Sequence, residues 1–369
     1  MDPIEPLFSS EVLSSIIGGA SAVDIPRMRL HDREEALDFL HCYGFSWSEP
    51  SHRDELERIR QTALRFIETA LLEPGESMPE ALREETDLPA LLLAASRPPD
   101  RAQRWRCALL RVMHAIAHAY SPLERRYGDQ IRGQILGRFH EHLFGEDGAL
   151  MLGSGPDAIP LADFGFKSSK TLRSTTMKLL HKAENVAADV FDRIGVRFVT
   201  RSRFDAMLVV RYLRTHNVMM FANVKPTRSR NTLVDLEHLQ TCTAALDREV
   251  VAGRLAPDER TARLRAMVEA RPCPSPRAAP DNQFSLINYR SIQYTCRQLI
   301  RVREPSASGG EVQFFFPFEI QILDVESYAE ARSGLASHEV YKARQRAAVR
   351  RRVLGALIED EALGPMAPS

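Results

Sequence analysis

The chain has 369 residues, 44% apolar and 27% charged, and its 49 basic and 49 acidic residues cancel to a formal charge of zero. That length allows two structural units, and that balance excludes a disordered chain and any overall electrostatic pull towards nucleic acid or an anionic membrane. The five cysteines, Cys42, Cys107, Cys242, Cys273 and Cys296, are scattered and form no C-x-x-C pair, which argues for reduced thiols rather than a disulfide framework or a zinc knuckle.

The N-terminus, MDPIEPLFSSEVL, has no basic segment followed by an apolar run, and no stretch reaches the roughly 18 consecutive apolar residues of a membrane span. A cytoplasmic protein without a membrane partner is expected. From Arg33 to about Phe144 apolar residues recur at helical spacing, as in Leu56, Ile59, Ala63, Phe66, Ile67 and Ala70. This half reads as all-helical, broken at Pro74 and Gly75 and again at Pro98 and Pro99, where proline cannot continue a helix. His31 and Asp32 form an H-D pair that reads as a chance surface pair, since no further His or Asp accompanies it at matching spacing. His114 and His118 are four apart, with His140 and His142 further on, and without a third ligand nearby they do not make a zinc site.

A Gly/Pro-rich patch from Gly153 to Pro160 separates this half from a region of alternating helix and strand patterns, so the boundary is expected between Ser121 and Pro160. Strand candidates rich in Val, Ile, Phe and Tyr are 193–200, 218–224, 289–302 and 312–323. Between residues 227 and 280 lies a charged, helix-patterned insertion that reads as a surface decoration more than as a lid. The fold class expected is α+β: a helical N-terminal domain (1–125), then a nucleotidyltransferase-like mixed sheet flanked by helices (126–346, with the insertion inside it), then a basic helix and tail (347–369). The run KARQRAAVRRR from Lys342 to Arg352 reads as a helix that docks on the domain or on another subunit, so a homo-oligomer through this helix is one expectation.

The segment GFKSSKTLRSTTMKLLHK, from Gly165 to Lys182, holds no acidic residue, and Lys170, Ser174 and Lys178 are spaced by four along one helical face. Dispersed ammonium groups and a hydroxyl suit a polyphosphate, although a basic face is also commonly just solvated surface. Asp192 enters a strand in which Ile194, Val196 and Phe198 alternate with Gly195 and Arg197; it reads either as a magnesium ligand or as a capping aspartate. In the segment from Val312 to Leu323, Val312, Phe314, Phe316, Phe318, Ile320 and Ile322 share one face, with Gln313, Glu319 and Gln321 on the other. A strand carboxylate among apolar neighbours is costly to bury unless paired or bound to a cation, so Glu319 is a second metal-ligand candidate; an ordinary exposed glutamate is the alternative.

From Glu319 onward, EIQILDVESYAEARSGLASHEVYK closely resembles the RelA/SpoT synthetase signature EVQIRT-x-x-MH-x-x-AE-x-G-x-AAHW-x-YK without a gap, matching at Glu319, Gln321, Gly334, Ala336, His338, Tyr341 and Lys342. The other segments resemble the family's motifs in the family's order. Lys170, Ser174 and Lys178 match K-x-x-x-S-x-x-x-K; Phe191, Asp192, Gly195 and Arg197 match Y-D-x-x-G-x-R; and NYRSIQYT, with Tyr289 and Ser291 in register, resembles NGYxSLHT.

The resemblance implies transfer of the ATP β,γ-pyrophosphate to the 3′-hydroxyl of GDP or GTP, making guanosine tetra- or pentaphosphate in a magnesium-dependent reaction of the stringent response. It implies that Lys170, Ser174, Lys178 and Arg197, with Lys167 beside a Ser168 that stands where the family has arginine, hold the ATP phosphates. Asp192 and Glu319 would bind Mg²⁺, with Glu319 assisting deprotonation of the acceptor; Tyr289, Ser291, Gln293 and Gln321 would serve the acceptor nucleotide, Tyr289 by stacking on its base. Departures cluster on that acceptor side. Leu323 replaces an arginine, Ser327 and Tyr328 replace MH, Gln293 replaces a histidine, and the PKxNG loop reads FSLIN from Phe284 to Asn288. The alternatives are therefore another acceptor, an adenosine nucleotide or the 3′ end of a tRNA, or a nucleotide sensor without turnover.

Overall fold

The structure is a computed structural model that describes residues 21–24, 28–119, 122–146, 149–167, 171–181, 194–274, 290–303, 310–332 and 338–362. In chain order its helices and strands are α1 (Arg33–Cys42), α2 (Pro50–Phe66), α3 (Glu80–Glu84), α4 (Leu88–Ala95), α5 (Arg101–Ala119), α6 (Pro122–His140), β1 (Leu143–Glu146), β2 (Ala149–Leu152), β3 (Ile159–Lys167), α7 (Leu172–His181), β4 (Gly195–Thr200), α8 (Arg203–Thr215), β5 (Arg230–Asn231), α9 (Leu236–Val251), α10 (Pro257–Ala270), β6 (Ile292–Arg303), β7 (Glu311–Asp324), α11 (Val325–Arg332) and α12 (His338–Ala362). The chain is α+β, and its contacts divide it into two units: 1–121 with 171–190 and 342–369, and 122–170 with 191–341.

The helical unit is built on caps and an apolar seam. Asp32 caps α1 by accepting from the Glu35 N–H at 3.0 Å, while Glu35 Oε2 accepts from the His31 N–H at 2.8 Å, so the H-D pair is a helix start. Pro50 opens α2 at a position that has no N–H to satisfy, and α2 runs into a π-helical turn, Ile67–Leu71, that ends ahead of Pro74 and Gly75. Leu56, Ile59, Ala63, Ile67, Leu91, Leu109, Val112 and Ile116 are buried in one core.

Two segments assigned elsewhere by sequence order join this core. Leu179 and Leu180 of α7 and Val349, Val353, Leu354 and Leu357 of α12 are buried in it, which is why the unit is discontinuous and differs from the consecutive domains 1–125, 126–346 and 347–369. Arg346 and Arg350 of α12 serve this packing, while Arg344 and Arg351 are exposed. Arg346 Nε donates to the Ala70 carbonyl at 2.7 Å, Arg350 Nη1 to the Leu71 carbonyl at 2.8 Å, and Arg346 Nη2 to the Leu72 carbonyl at 2.9 Å. They satisfy carbonyls that the end of the preceding helical turn leaves without intrahelical donors.

The sheet unit holds seven strands in the order β1-β2-β3-β4-β7-β6-β5, with β4 and β7 parallel and every other neighbouring pair antiparallel. One sheet face is apolar: Val196, Phe198, Phe318, Ile320, Ile322 and Tyr294 are buried with Ile131, Ile135 and Phe139 of α6. Phe139 lies 6.0 Å, centroid to centroid, from both Phe198 and Phe318.

Three expectations are corrected here. Strands occupy Leu143–Glu146, Ala149–Leu152 and Ile159–Lys167, so the helical pattern read to about Phe144 ends at His140. The Gly/Pro patch is a tight turn inside the sheet, where Gly153 has φ +83° and a Cβ would lie 2.6 Å from the Tyr212 ring. Residues 218–224 do not form a strand: a short helical turn, Phe221–Asn223, interrupts them, and only Val224 bridges to Cys296. Asn217 enters that segment at φ 53°, and Met220 and Phe221 are consecutive and 48% and 59% exposed, so no two-residue burial period exists to hold a ladder. Finally, the insertion is no loose decoration. Cys242 and Leu246 of α9, Leu255, and Leu264 and Val268 of α10 belong to the sheet unit's core, and Arg265 Nη1 of α10 pairs with the buried Asp205 of α8 at 2.8 Å.

Candidate functional site

Strand register gathers the polar candidates on the sheet face opposite the apolar core. Arg197 on β4, Gln321 on β7 and Gln293 on β6 are successive register partners, and so are Gly195, Glu319 and Thr295. Because partners in adjacent strands share a face and residues two apart share it again, these side chains form two adjoining rows. Beyond Arg197 the row continues to Gly165 of β3, where a Cβ would meet nothing within 4 Å.

Glu319 is only 6% exposed, and its Oε1 accepts from Gln293 Nε2. The exposed-glutamate alternative is thereby removed. A carboxylate at this depth carries a desolvation cost that hydrogen bonds or a cation must offset. Gln321, Thr295 and Ser291 are buried alongside. Arg197 extends to α11, where its Nη1 donates to Tyr328 Oη at 3.4 Å and its guanidinium carbon lies 5.4 Å from the Tyr328 ring centroid. Arg332, one helical turn on, lies 5.6 Å from the same centroid. Two of the residues that stand where the motif resemblance fails, Gln293 and Tyr328, are thus the ones that hold the carboxylate and the guanidinium.

Ser174 and Lys178 lie on α7, in the helical unit, on the side away from the buried Thr175, Thr176, Leu179 and Leu180. Ser174 takes part in the start of that helix: its N–H donates to Thr171 Oγ1 at 3.3 Å and its Oγ accepts from the same hydroxyl at 3.1 Å. Lys167 ends β3 opposite Gly195 and is described by its backbone alone. Lys170, Asp192 and Tyr289 lie outside the described residues. Sequence reasoning missed Thr295 and treated Tyr328 only as a departure; the four-residue spacing of Tyr328 and Arg332 was the available signal.

Among the described residues no set of three His, Cys, Asp or Glu side chains converges as a protein-only metal site would. Mg²⁺ requires only one or two carboxylates where substrate phosphates complete its oxygens, so Glu319 fits that ion better than zinc. The cysteines offer no nucleophile at this face: Cys296 is buried on the opposite one, and burial pushes its thiol up to about 11. A polar cavity of about 300 Å³ in the sheet unit is lined by Arg203, Arg271, Arg290, Glu269 and Asp324 among others, so the insertion contributes to its walls.

No family model and no curated protein matches the chain. Solved structures do. Small alarmone synthetase 2 from Bacillus subtilis is 14% identical over 65% of this chain and 92% of that one, with a TM-score of 0.30. Small alarmone synthetase 1 from Bacillus subtilis bound to its product pppGpp is 13% identical over 69% and 96%, with a TM-score of 0.25. A GTP pyrophosphokinase family protein from Streptococcus pneumoniae is 14% identical over 70% and 95%, with a TM-score of 0.24. These are proteins of the kind whose motifs the sequence resembles. Among the described residues no helix is long and apolar enough to cross a membrane.

Proposed function

We propose that the chain is a nucleotide pyrophosphokinase that transfers the β,γ-pyrophosphate of ATP to the 3′-hydroxyl of GDP or GTP. The observation that carries this reading is the buried Glu319, held by Gln293 and lying one row from Arg197 on the polar sheet face. In the reaction the acceptor 3′-oxygen forms a bond to the β-phosphorus, the bond between that phosphorus and the α,β-bridging oxygen breaks, and AMP leaves. The acceptor proton passes to a carboxylate base, for which Glu319 is the candidate. Such transfers depend mainly on alignment and on neutralising phosphate charge, since the protein contributes little covalent chemistry.

Arg197, Lys167, Lys170, Ser174 and Lys178 are the groups assigned to the ATP phosphates. Asp192 and Glu319 would hold Mg²⁺, which when bound supplies charge neutralisation of the transferring group. Tyr289, Ser291, Gln293 and Gln321 are assigned to the acceptor nucleotide. Tyr328 fixes the Arg197 guanidinium against α11 and so limits the rotamers it must give up on binding a phosphate. The cytosol, where these nucleotides occur and thiols stay reduced, is the proposed location.

A second reading keeps the donor and changes the acceptor to an adenosine nucleotide or a tRNA 3′ end. It is favoured by Gln293, whose amide is engaged with Glu319 where the family has a histidine, and by the FSLIN segment. The test is incubation of the full chain with γ-labelled ATP, Mg²⁺ and, separately, GDP, GTP, AMP, ADP and tRNA. A labelled guanosine product is expected. Label on a different acceptor replaces the substrate and keeps the chemistry; ATP binding without transfer to any acceptor overturns the enzyme reading in favour of a nucleotide sensor.

A further inference from the structure

The polar sheet face does not end at Glu319. Along the β6/β7 pair the same face carries Gln293 with Gln321, Thr295 with Glu319, Arg297 with Pro317 and then Leu299 with Phe315. The row of Glu319 therefore lies between two rows that each hold a guanidinium, Arg197 on one side and Arg297 on the other. Both guanidiniums are backed by an aromatic ring. Arg197 lies 5.4 Å from the Tyr328 centroid, and Arg297 lies 5.2 Å from the centroid of Phe315.

Arg297 is exposed, and the ring beneath it is 47% exposed. A phenylalanine left in water on a strand gains little from the core, but its face attracts a cation and restricts the conformations of the arginine above it. Further along β6 on the same face, Arg301 is paired with Glu311 at 2.7 Å. No such pair holds Arg297 among the described residues.

The charge balance of the proposed reaction leaves a role for this group. Two substrates meet at this face, and each brings a polyphosphate. The cations assigned above all serve ATP, whereas Tyr289, Ser291, Gln293 and Gln321, assigned to the acceptor, carry no positive charge. Residues two apart on a strand are separated by about 7 Å, a step comparable to the span of a ribose from its 3′-oxygen to the phosphates on its 5′ side. An acceptor with its 3′-hydroxyl at Glu319 can thus reach Arg297, one row on, with its 5′ phosphates. A guanidinium matches two phosphate oxygens at once.

We propose that Arg297, backed by Phe315, binds the 5′-polyphosphate of the acceptor nucleotide and sets its preference for nucleoside di- and triphosphates over monophosphates. The proposal rests on the reading that places the acceptor on this sheet face.

The experiment is calorimetric titration of the full chain with GDP and, separately, GMP, in the presence of Mg²⁺ and α,β-methylene ATP, whose α,β link cannot be cleaved. The unaltered chain should bind GDP more tightly than GMP. Arg297→Gln should weaken GDP by about tenfold, the scale of one charged hydrogen-bonding group. GMP should weaken by less, so that the preference between the two narrows. Arg297→Lys should recover part of the GDP affinity, because it keeps the charge and loses the fork. Phe315→Leu should weaken GDP in the same direction and by less than Arg297→Gln. Affinity for the ATP analogue should be unchanged in all three variants, and thermal unfolding should be unchanged in Arg297→Gln because the side chain is exposed.

Binding without turnover separates this proposal from the reaction itself. GDP affinity that depends on Arg297 in a chain that transfers no label to any acceptor keeps the phosphate site and removes the transferase reading. A labelled guanosine product together with GDP affinity indifferent to Arg297→Gln does the reverse. The proposal is also overturned if the unaltered chain fails to bind GDP, if it binds GDP and GMP alike, or if Arg297→Gln weakens the ATP analogue instead.

Discussion

The helical unit and the sheet unit both bury charge, and they do so in opposite ways. In the helical unit Arg60 is 1% exposed and surrounded by acceptors: Glu57 takes its Nε and Nη2 at 2.6 and 2.7 Å, and the Leu82 and Arg83 carbonyls take Nη1 at 3.3 and 3.0 Å. Its function is to tie α2 to α3. In the sheet unit Glu319 is buried beside amides and a hydroxyl, in a row adjoining that of Arg197. The first charge is held by the carboxylate and carbonyls of neighbouring helices, whereas the second lies on the sheet face that also carries Arg197, Gln321 and Gln293.

Four measurements can break or sharpen that contrast. The largest effect is expected from Glu319→Gln, which keeps the side chain's size and removes its charge. Transfer should fall by about a thousandfold, the scale of losing one major transition-state charge group, while calorimetry shows an unfolding temperature close to that of the unaltered chain. A comparable loss of stability instead would make Glu319 another Arg60.

Arg60→Leu should do the reverse. It leaves two carbonyls and a partly exposed carboxylate without their donor, at a cost of about 3 kcal/mol in denaturant unfolding, with transfer retained in the fraction that stays folded. Acidification tests the same unit more gently. His114 is held down to about 4 from its ordinary 6.5 by burial, with His118 and Tyr43 facing it. Its folded form therefore binds fewer protons than its unfolded form between those values, so stability is full above pH 6.5 and declines as the pH falls towards 4. Going from pH 7 to pH 5 should remove about 2 kcal/mol, and His114→Phe should flatten that slope.

The smallest effect concerns Gln293. Gln293→Leu removes one hydrogen bond from Glu319 and should lower kcat about tenfold while leaving ATP affinity unchanged. A rise in ATP KM with kcat unaltered would instead place Gln293 on the donor side.

Several of these features were legible from residue spacing. The alternation in 312–323 assigned Glu319 and Gln321 to the face opposite the phenylalanines, and the insertion's helices fell close to where α9 and α10 lie. The spacing of Ser174 and Lys178 was correctly helical. Less legible were the short strands of 143–167, because a four-residue strand after a long helix offers too few periods to outweigh the helical signal before it. The run 218–224 misled because β-favouring composition describes side chains and not the existence of a partner strand.

Local sequence therefore determined the periods, the helix starts at Asp32, Asp87, Ser202 and Asp235, and the identity of the polar strand residues. Tertiary structure alone decided that Arg197, Gln321 and Gln293 share a row, that Glu319 is buried, that α7 and α12 complete the helical core, and that four helices leave a cavity between them. The physical reason is range. Periodicity and capping are set within one or two turns of chain, whereas register, burial and voids are set by contacts between segments far apart in sequence, which no short window contains.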